Sequence, residues 1–232
     1  MKVLIIEASG IYCSLGLFDY KRKKILKSFI SKRYKKRNHS EIIIQMVKDI
    51  FLNLEKEDIS SIKYIVVSKG PGSFTGIRAA ISVSEGLSLS LKIPIIGINV
   101  FEKLFWIVQE KINPKTGILT ISNTRRGYHF VKIHSMFDRE DFDKEIQILP
   151  INKINKTSGL YNFDKIVVIG DDALEISKEL KRIGIETLMP IKTKETYGNL
   201  GLKIMAQIAL NNKNGRLKNK IKPLYLSEPI TN

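Results

Sequence analysis

Residues 68–78 read Ser-Lys-Gly-Pro-Gly-Ser-Phe-Thr-Gly-Ile-Arg, with glycines at Gly70, Gly72 and Gly76. Such a run, placed between an apolar strand and a helix, brings backbone N–H groups close to an anion. Glycine tolerates positive φ, and a helix N-terminus favours negative charge. It is not a P-loop, because no Gly-Lys-Ser/Thr follows and the phosphate-clamping lysine is missing. Its spacing also differs from GxGxxG. From the residue types, two readings stand: an anion-binding turn, or a tight strand-to-helix turn.

Other chemistry is poorly served. The histidines are His39, His129 and His134. The last two lie five apart on a segment that reads as a strand, which puts them on opposite faces. No metal-ligand set is expected. The segment Gly72-Ser73-Phe74-Thr75-Gly76 lacks the spacing of a Gly-x-Ser-x-Gly nucleophile elbow. Cys13, the single cysteine, has no evident catalytic partners and reads as a small buried apolar residue on a strand. One cysteine excludes an intramolecular disulfide and fits a reducing cytoplasm, so the expected location is cytoplasmic. No stretch approaches the ~20 apolar residues of a membrane span. The first residues read as a buried strand, not a signal peptide.

The elements that must position these residues follow from periodicity. Residues 2–7, 12–18 and 25–30 read as three strands joined by hairpin-length turns. A helix opens at His39-Ser40-Glu41, with Ser40 as candidate N-cap. Its core stripe is Ile42, Ile43, Met46, Val47, Ile50 and Leu54. Ile44 and Phe51 fall off that stripe and suggest a second apolar strip. A strand at 63–68 precedes the glycine-rich turn. A helix at 77–91 then carries small residues, among them Ala79, Ala80, Ser82 and Gly86. A strand at 94–98 and a helix at 101–111 follow. The opening pattern then returns: strands at 117–122, 127–134, 145–149 and 165–170, then helices at 171–183 and 197–210. Residues 223–226 could form a short docked segment.

Two copies of strand-strand-strand, then helices alternating with strands, give an α/β chain with two lobes and a cleft between them. This is the duplicated plan of actin, hexokinase and Hsp70: two actin-like (ASKHA, RNase H-like) lobes, each a mixed sheet with flanking helices. The expected domains are 1–99 and 100–232, the last segment packing back on the first lobe.

The net charge is +16. A balance this basic suits contact with nucleic acid. It also suits an AT-rich genome, which encodes Lys, Ile and Asn by default. The densest basic run is 21–37. No aromatic-rich RNP strand or GXXG clamp is present.

The run from Gly70 to Arg78 resembles the signature of the TsaB (YeaZ) family and of its larger relative TsaD. The order of the other segments is similar. Glu7-Ala8-Ser9 stands where the family has an Asp-Thr-Ser turn, and His39-Ser40-Glu41 matches its His-Ser-Glu. The turn Ser122-Asn123-Thr124-Arg125-Arg126-Gly127 stands for its Asp-Ala-Arg-Arg-Gly, and Pro223-Leu224-Tyr225-Leu226 for its Pro-Tyr-Leu element. The likeness spans nearly the whole chain and is weaker from 137 to 188. Two departures matter: Glu7 and Ala8 replace Asp-Thr, and the second-lobe aspartate is lost. In nucleotide-using relatives, carboxylates at such turns help to hold metal and phosphates.

The resemblance implies a non-catalytic subunit, without cofactor, of the machinery that forms threonylcarbamoyladenosine beside the anticodon of tRNAs. It implies binding to the catalytic TsaD subunit, a TsaE-like ATPase in the same assembly, and a homodimer when TsaD is absent. tRNA would be met through the complex. Ile44, Phe51, Ala79, Ala80, Ser82 and Gly86 are the expected partner surface. An ASKHA-type kinase and a stand-alone RNA-binding protein remain the alternatives; fold alone is a weak warrant for the first.

Overall fold

The structure is a computed structural model. It describes all residues except 33–38, 125, 139–140, 189–190, 212–216, 219 and 227–232, and the side chains of residues 39 and 40 are also outside the description. Two mixed sheets organise the described chain. The first has the order β10-β5-β4-β1-β2-β3, the second β8-β7-β6-β9. Their strands are β1 (Lys2–Glu7), β2 (Tyr12–Asp19), β3 (Lys24–Lys32), β4 (Ile62–Gly70), β5 (Ile95–Asn99), β6 (Thr116–Asn123), β7 (Tyr128–His134), β8 (Gln147–Pro150), β9 (Lys165–Gly170) and β10 (Leu217–Lys218). The helices are α1 (His39–Phe51), α2 (Lys56–Ser60), α3 (Phe74–Leu91), α4 (Val100–Val108), α5 (Ala173–Arg182), α6 (Thr193–Tyr197) and α7 (Asn199–Asn211).

Each sheet repeats one connection. An antiparallel meander, β1-β2-β3 or β6-β7-β8, is followed by a strand parallel to its first member, β4 or β9. The central strand β1 is apolar on both faces because both are covered. Leu4 and Ile6 pack under α1 and α3 with Ile43, Ile50 and Ile77. Val3 and Ile5 pack under α7 with Leu202, Met205 and Ala206. Alternate residues of one strand therefore feed two cores, as the period of two requires. The second sheet is covered likewise. Phe101, Leu104 and Phe105 of α4 lie on one face, and Ile176 and Leu180 of α5 on the other. Late segments return to the first lobe: α7 packs on its sheet, β10 pairs with β5, and Leu224 N–H donates to Lys69 O at 2.7 Å.

Several expectations are corrected. The first helix begins at His39, and the capping role expected of the Ser40 side chain lies outside the described residues. The helix expected at 197–210 is two: α6 ends at Tyr197, Gly198 is extended (φ −91, ψ −151), and α7 starts at Asn199. The strand expected at 145–149 is β8 at Gln147–Pro150, and Glu145 has a positive φ of 55. The glycine-rich helix starts at Phe74, with Ser73 as N-cap. Among the described residues no helix is long and apolar enough to cross a membrane.

Candidate functional site

The C-terminal ends of β1, β4, β6 and β9 converge where the lobes meet, which is where an open α/β sheet presents its binding crevice. At the end of β1 the Glu7 carboxylate is fully enclosed. Its Oε1 accepts from Ser9 N–H at 2.8 Å, Ser9 Oγ at 2.6 Å and Ser68 Oγ at 2.8 Å. Its Oε2 accepts from Lys103 Nζ at 2.6 Å, and both side chains are 1% exposed. Burial pushes the Glu7 carboxyl up. The Lys103 charge and the hydrogen bonds from Lys103 and Ser9 outweigh it, and the net shift is downward. On the other side of Lys103, Nζ lies 4.0 Å from the centroid of the Tyr197 ring. That ring lies against Gly10, where a Cβ would come within 2.3 Å of it. The Ser14 hydroxyl donates to the Tyr197 carbonyl. Carboxylate, ammonium and ring form one buried column from β1 through α4 to α6.

The glycine-rich turn closes against this column. The Gly70–Pro71 bond is cis, and Gly70 has φ +101. A Cβ at Gly72 would sit 2.4 Å from the Ser9 carbonyl oxygen and 3.1 Å from Ser122 Oγ. Ser73 N–H donates to Ser9 O at 2.7 Å, and Ser122 Oγ donates to Pro71 O at 3.1 Å. Gly76 N–H donates to Ser73 Oγ, and Ile77 N–H to Ser73 O. Three amides that could have cradled an anion are thus engaged by the chain itself. Of the two readings, the geometry supports the packed turn, here a tie between lobes.

The second-lobe turn recovers carboxylates from another strand. Asp171, after β9, accepts from Asn123 N–H at 3.0 Å. Asp172 accepts from Asn123 Nδ2 at 2.7 Å and lies 2.9 Å from His129 Nε2. The sequence reading missed this pair. The signal was Gly170-Asp171-Asp172 at a strand-to-helix turn, the position equivalent to the glycine-rich turn of the first lobe. Ile11, Tyr12 and Lys32 face Asp171, Asp172 and Glu175 across a cleft of about 390 Å³. Arg126 and Gly127 are exposed in the turn after β6, Gly127 with φ +86; Arg125 lies outside the described residues. Among the described residues, no group of three or more His, Cys, Asp or Glu side chains is placed to hold a metal. His129 faces Asp172, whereas His134 lies among Phe101, Phe105 and Phe142. Cys13 is buried on β2 and its thiol is pushed up to about 12, first by burial and then by Glu7.

The expected partner surface divides. Ile44 is 61% exposed, and Ser82 and Gly86 are exposed, with open space beyond Gly86. Ala80 is fully buried in the core under α3, which removes it from any surface. Ala79 and Phe51 are half-buried and pack on the same core. The sequence reading missed Leu52 and Leu89, which are 72% and 80% exposed. Thr75, Arg78, Ser82, Gly86 and Leu89 recur every three or four residues and make up the solvent face of α3. His39 begins α1.

Comparison with known proteins agrees with this architecture. The family model described as "TsaD: tRNA N6-adenosine threonylcarbamoyltransferase" matches residues 26–206. The tRNA threonylcarbamoyladenosine biosynthesis protein TsaB of Buchnera aphidicola subsp. Schizaphis graminum is 32% identical over 182 residues, 76% of this chain and 81% of that protein. The structure of YeaZ from Pseudomonas aeruginosa superposes with a TM-score of 0.66 over 97% of this chain and 99% of that one, at 17% identity. An inorganic polyphosphate/ATP-glucomannokinase from Arthrobacter sp. strain KM superposes with a TM-score of 0.51 over 91% of this chain and 99% of its own, at 14% identity. The last two likenesses concern the fold alone. With the family model covering most of the chain and a TsaB relative matched over most of its length, this protein belongs to the TsaB (YeaZ) family.

Proposed function

We propose that the chain is a non-catalytic subunit of the complex that forms threonylcarbamoyladenosine next to the anticodon of tRNAs, and that it binds and supports a TsaD-like catalytic subunit. The observation that carries the non-catalytic half is the state of Glu7. A carboxylate that is to hold a metal or phosphate-bound cation must have a free oxygen facing the cleft. Both oxygens of Glu7 are engaged, one by two serines and the other by Lys103. Ser122 and Asn123 replace the second-lobe aspartate. Asp171 and Asp172 nearby are engaged by Asn123 and His129.

The partner half rests on the exposed faces of α1 and α3. Ile44 on α1 and Leu89 on α3 face solvent on helices that cover one side of the first sheet, and Leu52 is exposed in the turn after α1. Small Ser82 and Gly86 allow a second helix to approach closely. TsaD gives its name to the family model that this chain matches, so two related folds would pair through like elements. The same faces serve a homodimer when TsaD is absent, and a TsaE-like ATPase joins the assembled pair. The test is co-purification of the chain with TsaD of the same organism, together with turnover assays on each alone. A stable pair is expected, with no ATP or peptide turnover by this chain. Turnover lost on Glu7→Ala would contradict it.

A further inference from the structure

A second feature of the surface pairs two aromatic side chains outside the hydrophobic cores. Phe74, the first residue of α3, and Tyr225, beyond β10, set their rings 5.4 Å apart at 37°. One turn along α3, the Arg78 guanidinium carbon lies 4.7 Å from the Phe74 centroid. The rings remain 55% and 54% exposed, and neither joins a hydrophobic core. With Ile77 they line a groove of about 370 Å³, to which the second lobe contributes Thr124, Arg126 and Phe130. The fold thus gathers two half-exposed aromatic rings and two arginines from three separate parts of the chain.

We propose that this groove takes an unpaired RNA nucleobase, stacked on Phe74 and Tyr225, with Arg78 and Arg126 near the adjoining phosphates. The inference rests on reading the chain as a subunit that works on tRNA. Ring stacking accepts any base, because every base has a π-face, and arginine adds cation–π attraction. The net charge of +16 favours a polyanion over a neutral peptide. A polymer fits better than a free nucleotide for a structural reason. The amides of Ser73, Gly76 and Ile77, the nearest cradle for a terminal phosphate, are already hydrogen-bonded within the turn. Charge must then be met by side chains along a backbone.

The experiment titrates the full chain into a short single-stranded RNA carrying a fluorescent adenine analogue whose emission is quenched by stacking. Binding with quenching is expected. Phe74→Leu and Tyr225→Leu should each weaken it about tenfold and restore emission, the scale of one lost stacking partner. Tyr225→Phe should bind as the parent does. Circular dichroism reports whether the variants fold. Tyr225 lies outside every core, so its variant remains informative even if Phe74→Leu misfolds. Four results would overturn the proposal: no RNA binding by the folded parent, parental affinity and quenching in Tyr225→Leu, equal binding of a fully paired duplex, or adenosine monophosphate binding as tightly as the oligomer. Failure here with TsaD binding intact removes only the groove, whereas a parent that does not bind TsaD removes the reading beneath it.

Discussion

Lys103 Nζ lies 2.6 Å from Glu7 Oε2, with both side chains withdrawn from water. Removing one partner of such a pair leaves an uncompensated buried charge, at a cost of about 3–5 kcal/mol. Lys103→Met should therefore destabilise the chain by about that amount in chemical denaturation. Adding Glu7→Gln should recover part of the loss, because the orphaned charge is then gone. A double variant that loses the sum of the two single losses would show that the pair is not coupled.

The same pair sets an acid limit. The folded Glu7 carboxyl lies below its ordinary 4.5. Its contribution is thus fully present above about 4.5 and is lost as the pH falls through the folded value. In Glu7→Gln that part of the acid slope should disappear.

His134 acts at higher pH. Burial lowers its pKa below the ordinary 6.5; Asp138 opposes the shift and Lys132 adds to it. Protonation therefore favours the unfolded chain. Stability is complete above about 6.5 and declines as the pH falls towards the folded value. His134→Gln should flatten the stability profile as the pH falls below about 6.5. A profile equally steep in the variant would contradict this assignment.

Exposure now separates surface from core on α1 and α3. Ile44→Glu and Leu89→Glu should change stability by no more than about 0.5 kcal/mol. Both should abolish binding of TsaD, because each leaves a charge in a desolvated contact. Ala80→Arg should fail to fold, since Ala80 is wholly buried. Circular dichroism and size exclusion distinguish the outcomes.

Gly72→Ala tests the packing of the glycine-rich turn against the turn after β1. The new Cβ would meet the Ser9 carbonyl at 2.4 Å, a backbone atom that cannot rotate away. The variant should lose on the order of 1–3 kcal/mol. Gly86→Ala, with nothing within 4 Å of the added atom, should not lose stability and serves as the control.

Much of this architecture could be read from residue patterns. Strands such as 2–7 announce themselves by continuous apolar runs, and the duplicated order of elements gives two lobes. What periodicity cannot give is which polar residue turns inward. Lys103 stands in Val-Phe-Glu-Lys-Leu-Phe-Trp-Ile-Val, where a lysine ordinarily marks the solvent side of an amphipathic helix. Tyr197 of α6 and the start of α7, returning from far along the chain, cover that side of α4. The signal was a charge in each of two apolar segments, Glu7 ending one and Lys103 interrupting the other. Ala80 failed for the converse reason. A small residue can line a surface or allow close packing, and its type does not say which; contact with the α1 core decides it. Tyr225 stood in a recognised segment, but its pairing with Phe74 depends on the tail crossing back to β4. The basic run at 21–37 extends into residues 33–38, outside the described part of the chain.

The partner role is tested most directly by light scattering on a size-exclusion column, with this chain mixed with TsaD of the same organism. The expected result is a single species with the summed mass of the two chains, lost in Ile44→Glu and Leu89→Glu while each variant stays folded. Separate elution of the two parent proteins, each at its own mass, would contradict it.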